Sequence, residues 1–235
     1  IISVGNITFG GTGKTPLTIW LIKLLEKMDQ EVMVLSRGYK GKRENSSGIL
    51  HGGGRFYSNP EEFGDEPLLL SRSLTKGAVV VGKNRSENLK KYFSDVKPDI
   101  VVMDDGFQHL RLFRNFNIVL FDSLLPLDRY KTAPMGYLRE GLTSLKDADF
   151  IVLTRVDQVH EKKINELIDM LYEHTSRPLP VAKVKYAPCG IYNCFDEKVM
   201  DLKELNGKKV SAVTGIASPE YFHNILSQYG AEIIN

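Results

Sequence analysis

Several residue types and patterns are scarce in this sequence of 235 residues, and each scarcity excludes a class of protein. Cys189 and Cys194 are the only cysteines, so a disulfide framework is not expected, and two thiols do not complete a usual zinc site. This usage of cysteine fits a reducing cytoplasm. The formal net charge of +2 gives no reason to expect a nucleic-acid partner. No apolar run is long enough to span a bilayer, and no signal peptide is expected among these residues.

Both ends of the chain are expected to be cuts within a longer protein. The sequence begins directly on the apolar run Ile1-Ile2-Ser3-Val4, without a methionine. It stops at Ile233-Ile234-Asn235, which is typical of a strand that has just begun. Each absence noted above therefore applies only to the 235 residues of this sequence and not to the longer protein that is expected.

Short apolar runs alternate with amphipathic segments along most of the chain. This alternation predicts an α/β fold of the P-loop NTPase type, in which a mostly parallel sheet is covered by helices on both faces. A region rich in glycine and polar residues, 37–59, is expected to be a long mobile loop or a hairpin. The expected strands are 1–4, 32–35, 78–81, 100–103, 118–121 and 150–153, and the expected helices are 17–28, 67–74, 85–93 and 164–171.

The pattern changes after Pro178 and Pro180. Two strands are expected around the turn Pro188-Cys189-Gly190, at 181–184 and 191–195, and a third at 210–213. Ser218 as N-cap and Pro219 as the first helical residue indicate a further helix. We therefore expect three parts: a P-loop core at 1–183, a two-stranded linker at 184–195, and the start of a smaller, truncated C-terminal α/β subdomain at 196–235.

A glycine-rich turn separates the first expected strand from the first expected helix. Backbone amides of such a turn, together with the helix N-terminus, bind phosphate groups. Lys14 is expected to reach the β- and γ-phosphates of ATP, and the Thr15 hydroxyl to bind Mg²⁺. The full motif has glycine where Thr8 stands, so a turn with a chance Lys-Thr is the alternative. The predicted nucleotide site, here named the phosphate loop, consists of Thr8, Phe9, Gly10, Gly11, Thr12, Gly13, Lys14 and Thr15.

Two acidic pairs follow at places where a metal-dependent transferase needs carboxylates. Asp104-Asp105 ends a buried strand, at the sheet edge where ligands bind in open α/β folds. We assign Asp104 to the Mg²⁺ shell and Asp105 to the positioning of basic groups, with simple solvation of a strand end as the alternative. Asp65-Glu66 stands just before Pro67, where it caps a helix or supplies the base that accepts the acceptor's proton. Asp65 is the candidate base.

Basic residues lie near the same expected edge. Arg37 follows the second strand, where a guanidinium is suited to clamp a phosphate. His109 stands close to the Asp104-Asp105 pair, where chemistry is expected. For each arginine taken alone, a solvated surface position is the alternative. The further arginine candidates are Arg85, Arg111, Arg114 and Arg139.

In their order, these motifs resemble those of the tetraacyldisaccharide 4'-kinase family of lipid A biosynthesis. The resemblance covers essentially the whole chain, and the ordered set is far more specific than any single motif. Threonine at position 8 is also typical of the family, which accounts for the departure from the full phosphate-loop motif. The segments that carry the resemblance are 4–8, 11–16, 36–39, 64–67, 104–109, 138–140, 154–157 and 214–219.

The resemblance implies an enzyme, a kinase that transfers the γ-phosphate of ATP to the 4'-hydroxyl of a tetra-acylated disaccharide 1-phosphate. It implies that Asp65 acts as base, that Asp104 helps to hold Mg²⁺, and that Glu66 and Asp105 support the catalytic site with Lys14. It also implies a position at the cytoplasmic face of the bacterial inner membrane, reached through segments absent from this chain. The predicted substrate-binding residues are Arg37, His109, Arg139 and Glu140.

This chain also departs from the family pattern. It lacks the family's N-terminal apolar segment and the Asp-His-His-type motif downstream of Thr214-Gly215-Ile216, and Met135-Gly136-Tyr137 stands where many members have Gly-Pro. Part of the acceptor machinery is therefore expected beyond Asn235. The alternatives are an ATPase switch and a GTPase or metallochaperone-like protein, since Thr154-Arg155-Val156-Asp157 faintly resembles the guanine-reading Asn-Lys-x-Asp.

Overall fold

The chain divides into two compact units, Ile1–Val184 and Lys185–Asn235. An eight-stranded sheet lies at the centre of the first unit. The structure is a computed structural model that describes residues 1–53, 59–193, 197–216 and 219–234. The strands of the first unit are β1 (Ile2–Gly5), β2 (Val32–Ser36), β3 (Gly48–His51), β4 (Ala78–Val81), β5 (Ile100–Asp104), β6 (Phe116–Asp122), β7 (Phe150–Thr154) and β8 (Val181–Lys183). Their order is β3-β4-β2-β5-β1-β6-β7-β8, and all pairs are parallel except β3 with β4.

Helices cover both faces of this sheet, as the sequence predicts. The helices of the first unit are α1 (Lys14–Lys27), α2 (Pro60–Phe63), α3 (Asp65–Ser73), α4 (Arg85–Val96) and α5 (Glu161–Tyr172). Helices α1 and α3 pack on one face, and α4 and α5 pack on the other. Every residue of β2 is buried, because a strand covered on both faces has no solvent side. Short 3₁₀ helices lie at Lys42–Asn45, Leu127–Arg129, Leu142–Asp147 and Val156–Gln158.

Residues 37–53 contain more regular secondary structure than the predicted loop or hairpin. They include a 3₁₀ turn and strand β3, which runs antiparallel to β4 rather than pairing within a local hairpin. The short helix α2 was not predicted either. Ile49-Leu50 is too short an apolar run to indicate a strand, and its partner lies about thirty residues away, so only tertiary pairing selects it. Residues 54–58 of the region 37–59 lie outside the described residues.

The second unit contains β9 (Ile191–Tyr192), β10 (Lys198–Met200), β11 (Lys209–Val210), α6 (Pro219–Gln228), β12 (Glu232–Ile233) and a 3₁₀ helix at Leu202–Leu205. Strands begin at Val181 and at Ile191, as expected on either side of the turn Pro188-Cys189-Gly190, but they do not pair with each other. The first joins the main sheet as β8, and β9 pairs with β10. Cys189 is a free, exposed thiol, whereas Cys194 and the predicted N-cap Ser218 lie outside the described residues. None of the helices in the described ranges is long and apolar enough to cross a membrane.

Gly5, the last residue of β1, allows the segment after β5 to cross directly over the strand end. A Cβ atom at this position would lie 2.6 Å from the Cβ of Phe107 and 2.8 Å from its amide nitrogen. The amide of Gly106 also donates to the carbonyl oxygen of Val4 at 3.1 Å. The segment that follows Asp104 is therefore seated on the end of β1 through a contact that admits no side chain.

We expect Gly5→Ala to lower the free energy of unfolding by about 1–3 kcal/mol, since the added methyl group overpacks the contact with Phe107. Urea denaturation of the parent and variant measures this difference. Gly141→Ala is the matched control, because its Cβ would meet only the Thr143 hydroxyl, at an ordinary 3.5 Å. Equal losses of stability in the two variants would contradict the close approach at Gly5.

Candidate active site

The carboxyl ends of β1, β2 and β5 bring three of the sequence motifs to one edge of the sheet. Parallel neighbours end at the same edge, and open α/β folds bind ligands there. The glycine-rich turn follows β1, Arg37 follows β2, and Asp104 is the last residue of β5. Because β1 pairs directly with β5, Val4 stands beside Asp104.

The glycine-rich turn leads into the N-terminus of α1. Gly13 occupies the N-cap position with φ of 88°, a left-handed conformation that favours glycine. The Thr12 side chain is buried, and its hydroxyl has no hydrogen-bond partner among the described residues. A turn of this kind followed by a helix N-terminus is an anion-binding arrangement.

Lys14 is held between an amide and a carboxylate. Its Nζ donates to Oδ1 of Asn6 at 3.0 Å and lies 3.4 Å from Oδ1 of Asp105. Asn6 in turn donates from Nδ2 to the carbonyl and hydroxyl oxygens of Thr8, at 3.0 and 3.2 Å. Thr8, which occupies a glycine position of the full motif, therefore helps to orient the amide that holds Lys14. Asn6 was missed as a site residue, although a polar residue between a buried strand and the turn was a usable signal.

The first acidic pair lies beside this lysine. Asp105 has φ of 47°, so the extended strand ends at Asp104 and its strict alternation of side chains does not continue through Asp105. Asp104 is buried and accepts a hydrogen bond from the Thr18 hydroxyl at 3.2 Å. Asp105 contacts both Lys14, at 3.4 Å, and Nη1 of Arg139, at 3.3 Å. Because Asp104 is buried, the alternative that it only solvates the end of a strand does not fit.

Burial, with a smaller contribution from the nearby carboxylates of Glu66 and Asp105, raises the pKa of Asp104 from 3.8 to about 7. Lys14 and the Thr18 hydroxyl oppose this rise but do not cancel it. The ionised form of Asp104 is therefore poorly compensated by protein groups alone. A bound cation favours the ionised form of such a carboxylate.

The second acidic pair begins α3. Asp65 and Glu66 are exposed, and no side chain caps this helix through a hydrogen bond. A Cβ atom on Gly38 would lie 2.9 Å from the carbonyl oxygen of Phe63, so the segment after β2 packs closely against the start of α3. Glu66 is near enough to Asp104 to raise its pKa, which links the start of α3 to the site electrostatically.

Residues 137–139 run alongside the chain that leaves β1. The amide of Phe9 donates to the carbonyl of Tyr137, and that of Arg139 donates to the carbonyl of Ile7, each at 2.7 Å. The Arg139 guanidinium carbon lies 5.8 Å from the centre of the Phe9 ring. Arg139 also reaches Asp105 from this position. A segment distant in sequence is therefore joined both to the phosphate loop, through Phe9, and to the acidic pair.

Glu140 and Gln108 meet next to this segment. Nε2 of Gln108 donates to Oε1 of Glu140 at 2.6 Å and to the carbonyl oxygen of Asn6 at 2.7 Å. The structure thus brings Glu140 to the same edge as the phosphate loop. Gln108 was not among the predicted site residues, although it lies within the segment 104–109 that the sequence analysis singled out.

Arg37, His109 and Arg85 are three further basic residues predicted at the site, and each has a different environment. Nε of Arg37 donates to Oε1 of Glu44 at 2.6 Å, and its side chain is half-exposed. His109 is partly buried, and burial together with nearby arginines lowers its pKa. Arg85 is buried and donates from Nη2 to the carbonyl oxygen of Asp104 at 2.8 Å, so it supports the end of β5.

Thr154 and Arg155 do not extend outward as a base-reading pair would. The Thr154 hydroxyl lies 3.1 Å from the carbonyl oxygen of Thr12, and Nη2 of Arg155 donates to that of Gly11 at 2.9 Å. Both side chains are buried against the phosphate loop. This placement is one that the sequence analysis did not foresee.

Comparison with known proteins adds a family to this geometry. The family model for tetraacyldisaccharide-1-P 4'-kinase matches residues 1–235. The tetraacyldisaccharide 4'-kinase of Syntrophus aciditrophicus is 37% identical over all of this chain, which covers 64% of that protein. The corresponding protein of Halothermothrix orenii is 36% identical, with 63% of its length covered. The chain therefore spans slightly less than two thirds of these curated relatives.

A solved structure matches the fold as well. LpxK from Aquifex aeolicus, described as an "apo" form in complex with ATP, superposes with a TM-score of 0.77 at 31% sequence identity. The match covers 99% of this chain and 68% of that one.

We expect Asp104→Asn to stabilise the protein at pH 8 in the absence of divalent cations. The pKa of Asp104 is raised in the folded state, so ionisation costs folding free energy that accumulates as the pH rises from 3.8 towards 7. Asparagine cannot ionise, and its Oδ1 can still accept from Thr18. The gain in Tm should therefore increase by several degrees, roughly 5 °C, between pH 5 and pH 8.

Thermal unfolding in the presence of EDTA across this pH range measures the gain. Asp147→Asn is the control, because that carboxylate is exposed and its substitution should leave Tm nearly unchanged at every pH. A gain for Asp104→Asn that does not vary with pH would contradict the raised pKa.

Proposed function

This chain belongs to the tetraacyldisaccharide-1-P 4'-kinase family, and on that premise we propose that it carries the donor half of a lipid kinase. The proposed reaction transfers the γ-phosphate of ATP to the 4'-hydroxyl of a tetra-acylated disaccharide 1-phosphate. The observation that most supports it is the position of Lys14 at the start of α1. Its Nζ lies 3.4 Å from Asp105, and its charge acts on the buried carboxylate of Asp104. Phosphoryl transfer requires such a lysine beside metal-binding carboxylates.

The donor side consists of the phosphate loop from Thr8 to Thr15. Its amides and the N-terminus of α1 would bind the phosphates, while Lys14 would contact the transferred group. The related Aquifex structure contains ATP, which supports ATP as the donor. Phosphoryl transfer has little covalent chemistry for the protein to perform, so these groups would act by position and charge.

Thr15 and Asp104 are the residues that would hold Mg²⁺. The buried carboxylate of Asp104 with its raised pKa fits a cation, and a hydroxyl at the start of the helix fits the second ligand. When bound, Mg²⁺ supplies neutralisation of charge at the β- and γ-phosphates. Asp105 pairs with both Lys14 and Arg139 and would keep these two side chains directed at the site.

The acceptor side would be formed around Asp65. Its carboxylate begins α3 without capping it, so it is available to accept the proton of the 4'-hydroxyl. Glu66 would support this side through its proximity to Asp104. The residues that we assign to the sugar and phosphate groups of the acceptor are Arg37, His109, Arg139 and Glu140.

We assign the enzyme to the cytoplasmic face of the bacterial inner membrane, because its acceptor is an acylated lipid and its donor is ATP. Contact with the membrane surface would involve parts of the protein outside these residues. The GTPase alternative has less support, because Thr154 and Arg155 are buried against the phosphate loop.

Incubation of the full-length protein with γ-labelled ATP and the lipid disaccharide 1-phosphate tests the proposed reaction. We expect the label on the lipid, and we expect unlabelled ATP to compete better than GTP. A family member of known activity serves as the positive control. Labelled phosphate released to water with no labelled lipid would instead identify an ATPase.

We expect Asp65→Asn to reduce kcat about 10²–10⁴-fold, because the amide cannot accept the proton of the hydroxyl. Affinity for ATP, measured by calorimetry, should change less than about twofold, since we assign this residue to the acceptor side. Glu61→Gln is the matched control, as the side chain of this exposed glutamate on α2 makes a surface ion pair with Lys42 at 3.9 Å. Full activity of Asp65→Asn would remove this residue from the mechanism.

A further inference from the structure

The end of β7 contacts the phosphate loop. In the sheet order, β6 lies between β7 and β1, so Thr154 and Arg155 reach across the end of one strand. The Thr154 hydroxyl can donate to the carbonyl oxygen of Thr12, at 3.1 Å, or to that of Phe121, at 3.2 Å. Nη2 of Arg155 donates to the carbonyl oxygen of Gly11 at 2.9 Å. Two consecutive carbonyls of the loop are therefore held by neighbouring residues.

Arg155 is itself fixed in place. Its φ of 58° is left-handed, which is unfavourable for a residue with a side chain and persists where surrounding contacts impose it. Nη1 forms an ion pair with Oδ2 of Asp122, the last residue of β6. Oδ1 of Asp122 accepts from the amide of Leu124 at 3.1 Å, so the carboxylate is oriented by its own turn.

Holding a carbonyl also directs the amide on the same peptide plane. In a planar trans peptide the N–H points away from the C=O. A fixed Gly11 carbonyl therefore sets the direction of the Thr12 amide, and a fixed Thr12 carbonyl sets that of the Gly13 amide. Within the part of the chain that the structure describes, neither amide donates to a protein acceptor. The buried Thr12 hydroxyl lacks a partner there too.

We propose that Thr154, Arg155 and Asp122 are positioning residues that hold the phosphate loop with its Thr12 and Gly13 amides directed at a bound polyphosphate. The inference rests on the proposed function only in taking that polyphosphate to be the triphosphate of ATP. The segment Thr154-Arg155-Val156-Asp157 faintly resembles a guanine-reading motif. The proposal assigns its first two residues instead to the support of the phosphate loop.

Inorganic tripolyphosphate separates this role from base recognition, because it has the phosphates of ATP but neither base nor ribose. Binding of ATP and of tripolyphosphate to the full-length protein is measured by calorimetry for the parent and each variant. Asp122→Asn breaks the ion pair yet keeps an acceptor for the Leu124 amide. Thr154→Val removes the hydroxyl at nearly constant shape, and Thr154→Ser restores it.

We expect Asp122→Asn and Thr154→Val to weaken the binding of both ligands equally, by about tenfold, with a similar loss in kcat/KM for ATP. Thr154→Ser should return both affinities to within about twofold of the parent. The KM for the lipid acceptor should not change. Thr175→Val is the control, since this hydroxyl donates to the carbonyl of Tyr172, far from the loop in sequence, and its loss should leave both affinities unchanged.

Two outcomes overturn the proposal. If Asp122→Asn or Thr154→Val weakens ATP binding but leaves tripolyphosphate binding intact, these residues recognise the nucleoside instead. If folded variants, verified by Tm, bind both ligands as the parent does, the loop does not depend on them. A parent that binds tripolyphosphate but never labels the lipid overturns the kinase assignment alone, because loop positioning is read from tripolyphosphate binding.

Discussion

The parallel pairing of β1 with β5 is the constraint on which the site depends. It sets Val4 beside Asp104, so the chain leaves one strand as the phosphate loop and the other as the acidic pair. Gly5 then admits Phe107 at a distance that no side chain would allow. Lys14 and Asp105 meet at 3.4 Å because their two strands end at the same level. Loss of this register would separate the lysine from the carboxylates.

Charge at this edge is arranged around one buried carboxylate. Burial raises the pKa of Asp104, and two nearby acidic residues add to this rise, while Lys14 and the Thr18 hydroxyl oppose it only in part. Asp105, by contrast, is partly exposed and engages Lys14 and Arg139 together. Burial therefore gives adjacent aspartates different environments: Asp104 is desolvated, and Asp105 contacts two cationic side chains.

Much of this fold was predictable from local patterns, and the exceptions have a common cause. The strands that flank the site are continuous apolar runs, so periodicity identifies them. Strand β3 is short and glycine-flanked, and it depends on β4 for its definition. The segment at 181–184 was predicted as a strand, but its partner was not, because β7 is selected by the order of strands in the sheet and not by the nearest turn.

The sequence by itself determined the phosphate loop, the two acidic pairs and the family, because turn chemistry and motif order are encoded in neighbouring residues. The tertiary structure decided which distant residues support them. Asn6 holds Lys14, and Thr154 reaches a carbonyl 142 residues away along the chain. Such contacts follow from the order and register of strands in the sheet, which no local pattern of hydrophobicity or charge specifies.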